Sequence, residues 1–274
     1  MHRELNQAAE LLWQRLEPLL PLLTIEVVDE CASTNALLLE RARRGDAAPA
    51  LLVARQQTAG RGRQGRAWLS EPDAALLMSL AVPLAPARVD GWVGLSLAVG
   101  VAIADALDPD GRRIALKWPN DLWLREATAA PGRGRKLAGI LIETVNAGAR
   151  RVAVIGIGIN VEARALGDAE AYGSGYAALQ EIDAGATPAS ALQALLPPLV
   201  AALRRFEAEG FAAFQAVYAA RDLLRGVAVT AVGALAGTAE GVDAEGHLLL
   251  RDADRHLHRV GSGEVSLRPA VETR

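Results

Sequence analysis

The chain has 274 residues, a formal net charge of -3 and a hydrophobic share of 51%. This is enough for one large domain, or a large and a small one, around a sizeable buried core. The charge argues against a protein whose main task is coating nucleic acid or an anionic membrane, so any basic function must be local. The single cysteine, Cys31, excludes an internal disulfide framework and fits a reducing compartment. His2, His247, His256 and His258 show no zinc spacing, and the alternation of His256 with His258 reads as a surface strand. The start lacks a signal-peptide pattern, and apolar stretches such as Leu76 to Leu84 are too short to span a bilayer. The expectation is a soluble cytoplasmic protein with no membrane partner.

Leu5, Ala8, Leu11, Leu12, Leu16 and Leu19 recur near helical spacing and predict a leading amphipathic helix. Thr24 to Val28 reads as a strand, and Ser33-Thr34-Asn35 offers caps for a helix running to about Arg44. Strands follow at Leu51 to Gln56 and Ala75 to Val82, with a Gly/Arg loop between them, and Gly91 to Leu107 reads as a buried helix. Next come Ile114 to Trp118, a Pro-Asn-Asp turn, Leu122 to Leu124 and a Pro/Gly/Ala-rich loop from Ala127 to Gly134. Leu137 to Val145 and Val152 to Val161 look like strands of one sheet, and residues 188 to 220 are helical in pattern. From about Gly226 short strands with glycine turns predict a small β-barrel, with the boundary near Arg221 to Gly226.

Lys117 and Lys136 are the only lysines among 29 Lys and Arg residues, and both lie in compact motifs. A lysine is a compact point charge that reaches one phosphate or carboxylate oxygen without the planar fork of arginine. An anionic ligand near both is the expectation. Gly60-Arg61-Gly62-Arg63-Gln64-Gly65 satisfies the G-x-G-x-x-G spacing after a predicted strand. Its context excludes a dinucleotide fold, because Pro72 and the next strand leave no room for a crossover helix. Arg61, Arg63 and Arg66 on that backbone make an anion clamp instead, held open by repulsion until a ligand arrives. Lys117-Trp118-Pro119-Asn120-Asp121 is a turn that can present Asn120 as a two-sided amide reader, although a structural hairpin explains it equally well. The small residues Ala138, Gly139, Gly156 and Gly158 permit close approach of a ligand or of another backbone.

Taken in order, Ser33-Thr34-Asn35, the run Gln57 to Trp68, the KWPND run, Lys136 to Glu143 and Gly156 to Asn160 closely resemble the biotin protein ligases. The resemblance runs from about residue 24 to the Ser262 to Arg268 segment. It implies an α+β fold: a mixed-sheet catalytic domain of the biotin/lipoyl ligase, class II synthetase-like type over 24-222, then an SH3-like barrel over 223-274, after a helical extension over 1-23. It also implies ATP and biotin as substrates with Mg²⁺ carried on ATP, formation of biotinyl-AMP, and transfer of the biotinyl group to a lysine of a biotin carboxyl carrier domain of acetyl-CoA carboxylase or a similar enzyme.

Carried over by position, Ser33, Thr34 and Gln57 correspond to binders of the biotin ureido head, supported by Asn35. Arg61, Gly62 and Arg63 correspond to the lid, and Gly139 to close approach of biotin. Lys136 would hold the biotin carboxylate and the α-phosphate, with Arg63 sharing the catalytic work. Arg66, Trp68, Lys117, Asn120 and Asn160 correspond to the nucleotide side, supported by Asp121. With about 23 residues before the first strand, no operator DNA is expected, while a homodimer remains open. The rival on the same architecture is a lipoate or octanoate ligase. A rival of another class is a nucleic-acid binder using the arginine loop, against which the acidic net charge speaks.

Overall fold

The computed structural model describes residues 2–85, 92–126, 131–162, 175–230, 235–261 and 268–269. The chain divides into two compact units, Met1–Ala85 with Leu137–Ala201, and Pro86–Lys136 with Ala202–Arg274. Among expected features, Gly91, residues 127–130 of the Gly/Pro-rich loop and residues 262–267 near the end lie outside the described residues.

In the first unit, helix α1 (His2–Leu16) buries Leu5, Ala8, Leu12 and Leu16 of the stripe read from the sequence, whereas Leu11 is exposed and Leu19, also exposed, lies beyond the end of the helix. Strand β1 (Thr24–Cys31) pairs in parallel with β2 (Ala50–Gln57). The parallel pairing needs a crossover, which helix α2 (Thr34–Arg43) supplies. Strand β3 (Ala75–Pro83) then pairs antiparallel with β2 and with β7 (Arg150–Asn160). On its other edge β7 pairs antiparallel with β6 (Arg135–Ala147), giving the mixed order β1-β2-β3-β7-β6. Leu38, Leu39 and Ala42 of α2 pack with Leu52, Ala81, Val152 and Val154 of the sheet. Each fully buried Leu or Val among them contributes roughly 1.5–3 kcal/mol.

The second unit holds the buried helix α3 (Leu95–Leu107) and the hairpin of β4 (Ile114–Lys117) and β5 (Asp121–Leu124). The expected helical stretch 188–220 is interrupted: α4 (Pro188–Glu209) ends at Gly210 with φ 70°, a 3₁₀ turn covers Phe211–Phe214, and α5 (Gln215–Arg221) follows. A positive φ stops helix propagation, and glycine adopts it without Cβ strain. Buried Arg221 pairs with Asp105 at 2.9 Å and Asp108 at 3.1 Å. Asp108 Oδ2 also accepts from the Arg113 and Ile114 amides, so the charge pair is fully hydrogen-bonded. These contacts hold the Asp108 carboxyl below its usual range despite its burial. The chain then forms a five-stranded antiparallel sheet from β8 (Ala228–Thr230), β9 (Ala236–Val242), β10 (Leu248–Arg251), β11 (Leu257–Val260) and β12 (Arg268–Pro269), in the order β11-β10-β9-β8-β12.

Candidate functional site

In the first unit a chain of polar side chains runs beneath the start of α2. Ser33 is the N-cap of that helix, its Oγ accepting from the Ala36 amide at 3.5 Å. Gln57, at the end of β2, accepts at Oε1 from the Thr34 backbone N–H at 2.7 Å. Thr34 Oγ1 lies 2.7 Å from Ser79 Oγ, and Ser79 donates to Asn35 Oδ1 at 2.6 Å. Asn35 Nδ2 donates to the Leu141 carbonyl at 3.2 Å and to Glu143 Oε2 at 3.0 Å. Ser33, Thr34, Asn35 and Ser79 are all buried. The sheet register makes room for this arrangement. Gly156 pairs with Ser79 on one side and Leu141 on the other, and a Cβ there would collide with Asn35 Oδ1. Gly139 pairs with Gly158, and a Cβ on Gly158 would stand 2.6 Å from the Trp68 ring. The glycines of the Gly156 to Asn160 run therefore seat two side chains, Asn35 and Trp68, against bare backbone.

The arginine loop joins two antiparallel strands, β2 and β3, so it has no crossover helix, as its context predicted. Its backbone is laddered rather than open. Trp68 N–H donates to Gly60 O at 2.9 Å, Gly62 N–H to Arg66 O at 2.7 Å, and Arg61 bridges Ala67. Gln64 and Gly65, at φ 56° and 71°, turn the tip. The expectation that arginine repulsion keeps the loop open does not hold for its backbone. Arg61 is held by Glu143 Oε2 at 3.1 Å and Arg66 by Gln64 Oε1 at 3.1 Å, which offsets the repulsion locally. Near the end of β7, Asn160 is buried and donates to the Ala177 carbonyl at 3.0 Å.

In the second unit, Lys117 and Asp121 face each other across the β4–β5 hairpin, around a turn containing Pro119 and Asn120. Lys117 Nζ sits 3.9 Å from the centre of the Trp123 ring, a cation–π contact. Lys136 Nζ lies 2.9 Å from Asp121 Oδ1. Both lysines thus have protein partners. Trp118 is buried and donates to the Gly246 carbonyl at 3.2 Å.

Two other donor clusters occur among the described residues: Asp243, Glu245 and His247, and Asp252, Asp254 and His256. Arg259 already reaches all three side chains of the first, at 2.7, 3.2 and 3.0 Å. Asp252 of the second accepts from the His256 amide and lies 2.7 Å from His258 Nε2. No described helix is long and apolar enough to cross a membrane.

Residues 28–160 match the model of the Biotin/lipoate A/B protein ligase family, and residues 225–268 that of the Biotin protein ligase C terminal domain. The chain is 35% identical to the bifunctional ligase/repressor BirA of Escherichia coli over 90% of this chain and 75% of that one. It belongs to the biotin protein ligase family. A second relative, the biotin--[acetyl-CoA-carboxylase] ligase of Paracoccus denitrificans, is 32% identical over 80% of this chain and 90% of its own. Among solved structures, the biotin protein ligase from Aquifex aeolicus in complex with biotin and ATP superposes with a TM-score of 0.73 at 27% identity, covering 90% of this chain and 99% of that one. The mixed α+β architecture and the small C-terminal sheet of this chain agree with that family.

Sequence reasoning had assigned no role to Ser79 or Glu143. Ser79 left a signal, a lone hydroxyl inside the otherwise apolar and buried strand Ala75–Pro83. Glu143 ends the Lys136 to Glu143 run as its one carboxylate, but its partners come from α2 and the arginine loop and left no mark in the sequence.

Proposed function

We propose that this biotin protein ligase joins biotin to ATP as biotinyl-AMP and passes the biotinyl group to one lysine of a biotin carboxyl carrier domain, of acetyl-CoA carboxylase or a similar enzyme, in the cytoplasm. The observation that carries the reading is the identity to the Escherichia coli ligase/repressor across 90% of the chain, beside the family match over residues 28–160, which spans every site residue assigned above. In the first step a biotin carboxylate oxygen attacks the α-phosphorus and pyrophosphate leaves. In the second the carrier amine, having lost a proton, attacks the acyl carbon and AMP leaves.

The residues suit those steps. Thr34 and Gln57 offer an acceptor and a donor side by side, as a ureido group requires. Lys136, released from Asp121, would neutralise the carboxylate and the α-phosphate so that two anions can meet. Arg63 assists there, and Arg61, Gly62 and Arg63 cover the adenylate and exclude water. Gly139 allows close approach of biotin. Arg66, Trp68, Lys117, Asn120 and Asn160 face the nucleotide, with Asp121 in support. Asp121 is the one carboxylate among these assigned residues, and Lys136 already engages it, which fits a Mg²⁺ ion that arrives on the triphosphate. Such an ion would supply charge neutralisation at the phosphates. We take residues 24-222 as the catalytic domain and 223-274 as an SH3-like barrel. The carrier domain is the required partner; self-association is compatible with this reading, whereas operator DNA lies outside it.

The deciding experiment mixes protein, ATP and Mg²⁺ with biotin or lipoate and identifies the retained adenylate by mass spectrometry. Biotinyl-AMP with pyrophosphate release is expected. Lipoyl-AMP alone would move the chain to the rival specificity.

A further inference from the structure

Hydrogen-bond direction in the buried chain is fixed by counting protons. Asn35 Nδ2 faces two oxygens, the Leu141 carbonyl and the Glu143 carboxylate, both of which can only accept there. Asn35 Oδ1 must therefore point at Ser79, and it takes the one hydroxyl proton Ser79 has. Ser79 Oγ can then only accept from Thr34 Oγ1 at 2.7 Å, so the Thr34 hydroxyl proton is committed to Ser79. Gln57 Oε1, a second acceptor 3.2 Å from Thr34 Oγ1, is already served by the Thr34 backbone N–H at 2.7 Å. Two consequences follow at the ligand side. Thr34 Oγ1 retains only lone pairs, and the Gln57 amide, with Oε1 turned to Thr34, presents Nε2 as a donor.

We propose that Ser79 and Glu143 are positioning residues that set this polarity, making Thr34 an obligate acceptor for a ligand N–H and thereby selecting a cyclic urea. The inference rests on the reading of Thr34 and Gln57 as binders of the biotin head. Glu143 and the Leu141 carbonyl orient Asn35, Asn35 orients Ser79, and Ser79 orients Thr34. A ligand with an ether oxygen in place of the N–H would meet lone pairs on both sides and be rejected. Arg61 shares Glu143 Oε2 with Asn35, so the arginine loop is tied to the same oxygen that starts the relay.

The test compares biotin with its two cyclic-carbamate analogues, each having one ureido N–H replaced by oxygen, as substrates for adenylate formation by the full chain. Wild-type protein is expected to discriminate roughly tenfold in kcat/KM against one of the two analogues, the worth of one hydrogen bond. In Ser79→Ala the Thr34 hydroxyl loses its acceptor at 2.7 Å and keeps only the longer contact to Gln57 Oε1 at 3.2 Å, so its proton can turn to the ligand more readily and the preference should fall to about twofold or less through KM, with kcat little changed. Glu143→Gln weakens one of the two acceptors that hold Asn35 Nδ2 and leaves the Leu141 carbonyl as the other, so it should erode the same preference in part, which decides the matter if Ser79→Ala does not fold. A purely structural role would lower activity toward all three acids equally. Full discrimination retained in the folded variants, or none in the wild type, overturns the relay. Failure of the wild type to make biotinyl-AMP overturns the underlying reading and the relay with it.

Discussion

The polar chain under α2 and the arginine loop lie in the same unit and are held in opposite ways. The first is buried, and its side-chain donors and acceptors meet partners from β2, β3, β6 and α2. The second is largely exposed, keeps its form through its own short backbone ladder, and leans on the rest through side-chain contacts such as Arg61 with Glu143. A recognition surface must be rigid in direction as well as in position, which burial and full pairing provide. A cover must release and re-form, so ion pairs worth about 0–1 kcal/mol at the surface suit it better.

The largest effect should come from chemistry that neither region supplies. Lys136→Ala should lower adenylate formation by roughly 10²–10³-fold, the scale of removing one preorganised transition-state contact, while the fold persists. Pyrophosphate release measures it, and near-normal activity would take Lys136 out of the reaction. Breaking the rigid region comes next. Gly156→Ala pushes a methyl group onto Asn35 Oδ1, so a stability loss of about 1–3 kcal/mol together with a higher KM for biotin is expected. Denaturant unfolding and steady-state kinetics read the two parts, and an unchanged KM would show that the Asn35 seat does not reach the ligand.

The arginine loop should respond differently. Arg63→Ala should leave the melting temperature within about 1 °C, since surface substitutions cost little. It should release biotinyl-AMP roughly tenfold faster, because one charge-assisted clamp is gone. Quench-and-filter measurements of retained adenylate test this, and equal retention would reassign the arginine.

An effect on stability alone, with none expected on catalysis, sharpens the contrast between paired and unpaired buried groups. Asp222 in the second unit has a buried oxygen, Oδ2, without a hydrogen-bond partner, and Tyr218 Oη is likewise unpartnered among the described residues. Burial pushes the Asp222 carboxyl up to about 6, against the pull of its bond from the Leu224 amide and of Arg225 and Arg125. A carboxyl whose pKa is raised on folding holds its proton longer in the native state. Its contribution therefore falls as pH rises from about 4 to about 6, by at most about 3 kcal/mol. Glu26, Asp73 and Asp108 are held below their usual values and act in the opposite sense. The measurement is accordingly a difference: the stability of Asp222→Asn relative to wild type should rise across that window. A flat difference would mean that water reaches Oδ2.

Much of the candidate site could be read from the chain because its parts are local. Ser33-Thr34-Asn35 caps a helix, Gly60 to Gly65 closes on itself, and the Pro119-Asn120-Asp121 turn joins two short strands. Each is specified by neighbours a few residues away, so residue type and spacing suffice. Alternating and helical periodicities likewise located the strands and α-helices before Gly210, whereas the short strands after Gly226 were legible as a group and not one by one. Tertiary structure alone decided what pairs with what. Lys136 meets Asp121 rather than standing ready for a ligand, Glu143 serves both Asn35 and Arg61, and Ser79 turns the Thr34 hydroxyl. Those partners lie 15 to more than 100 positions apart in the chain. Their direction depends on strand register and on proton count, quantities that no local pattern of residues encodes.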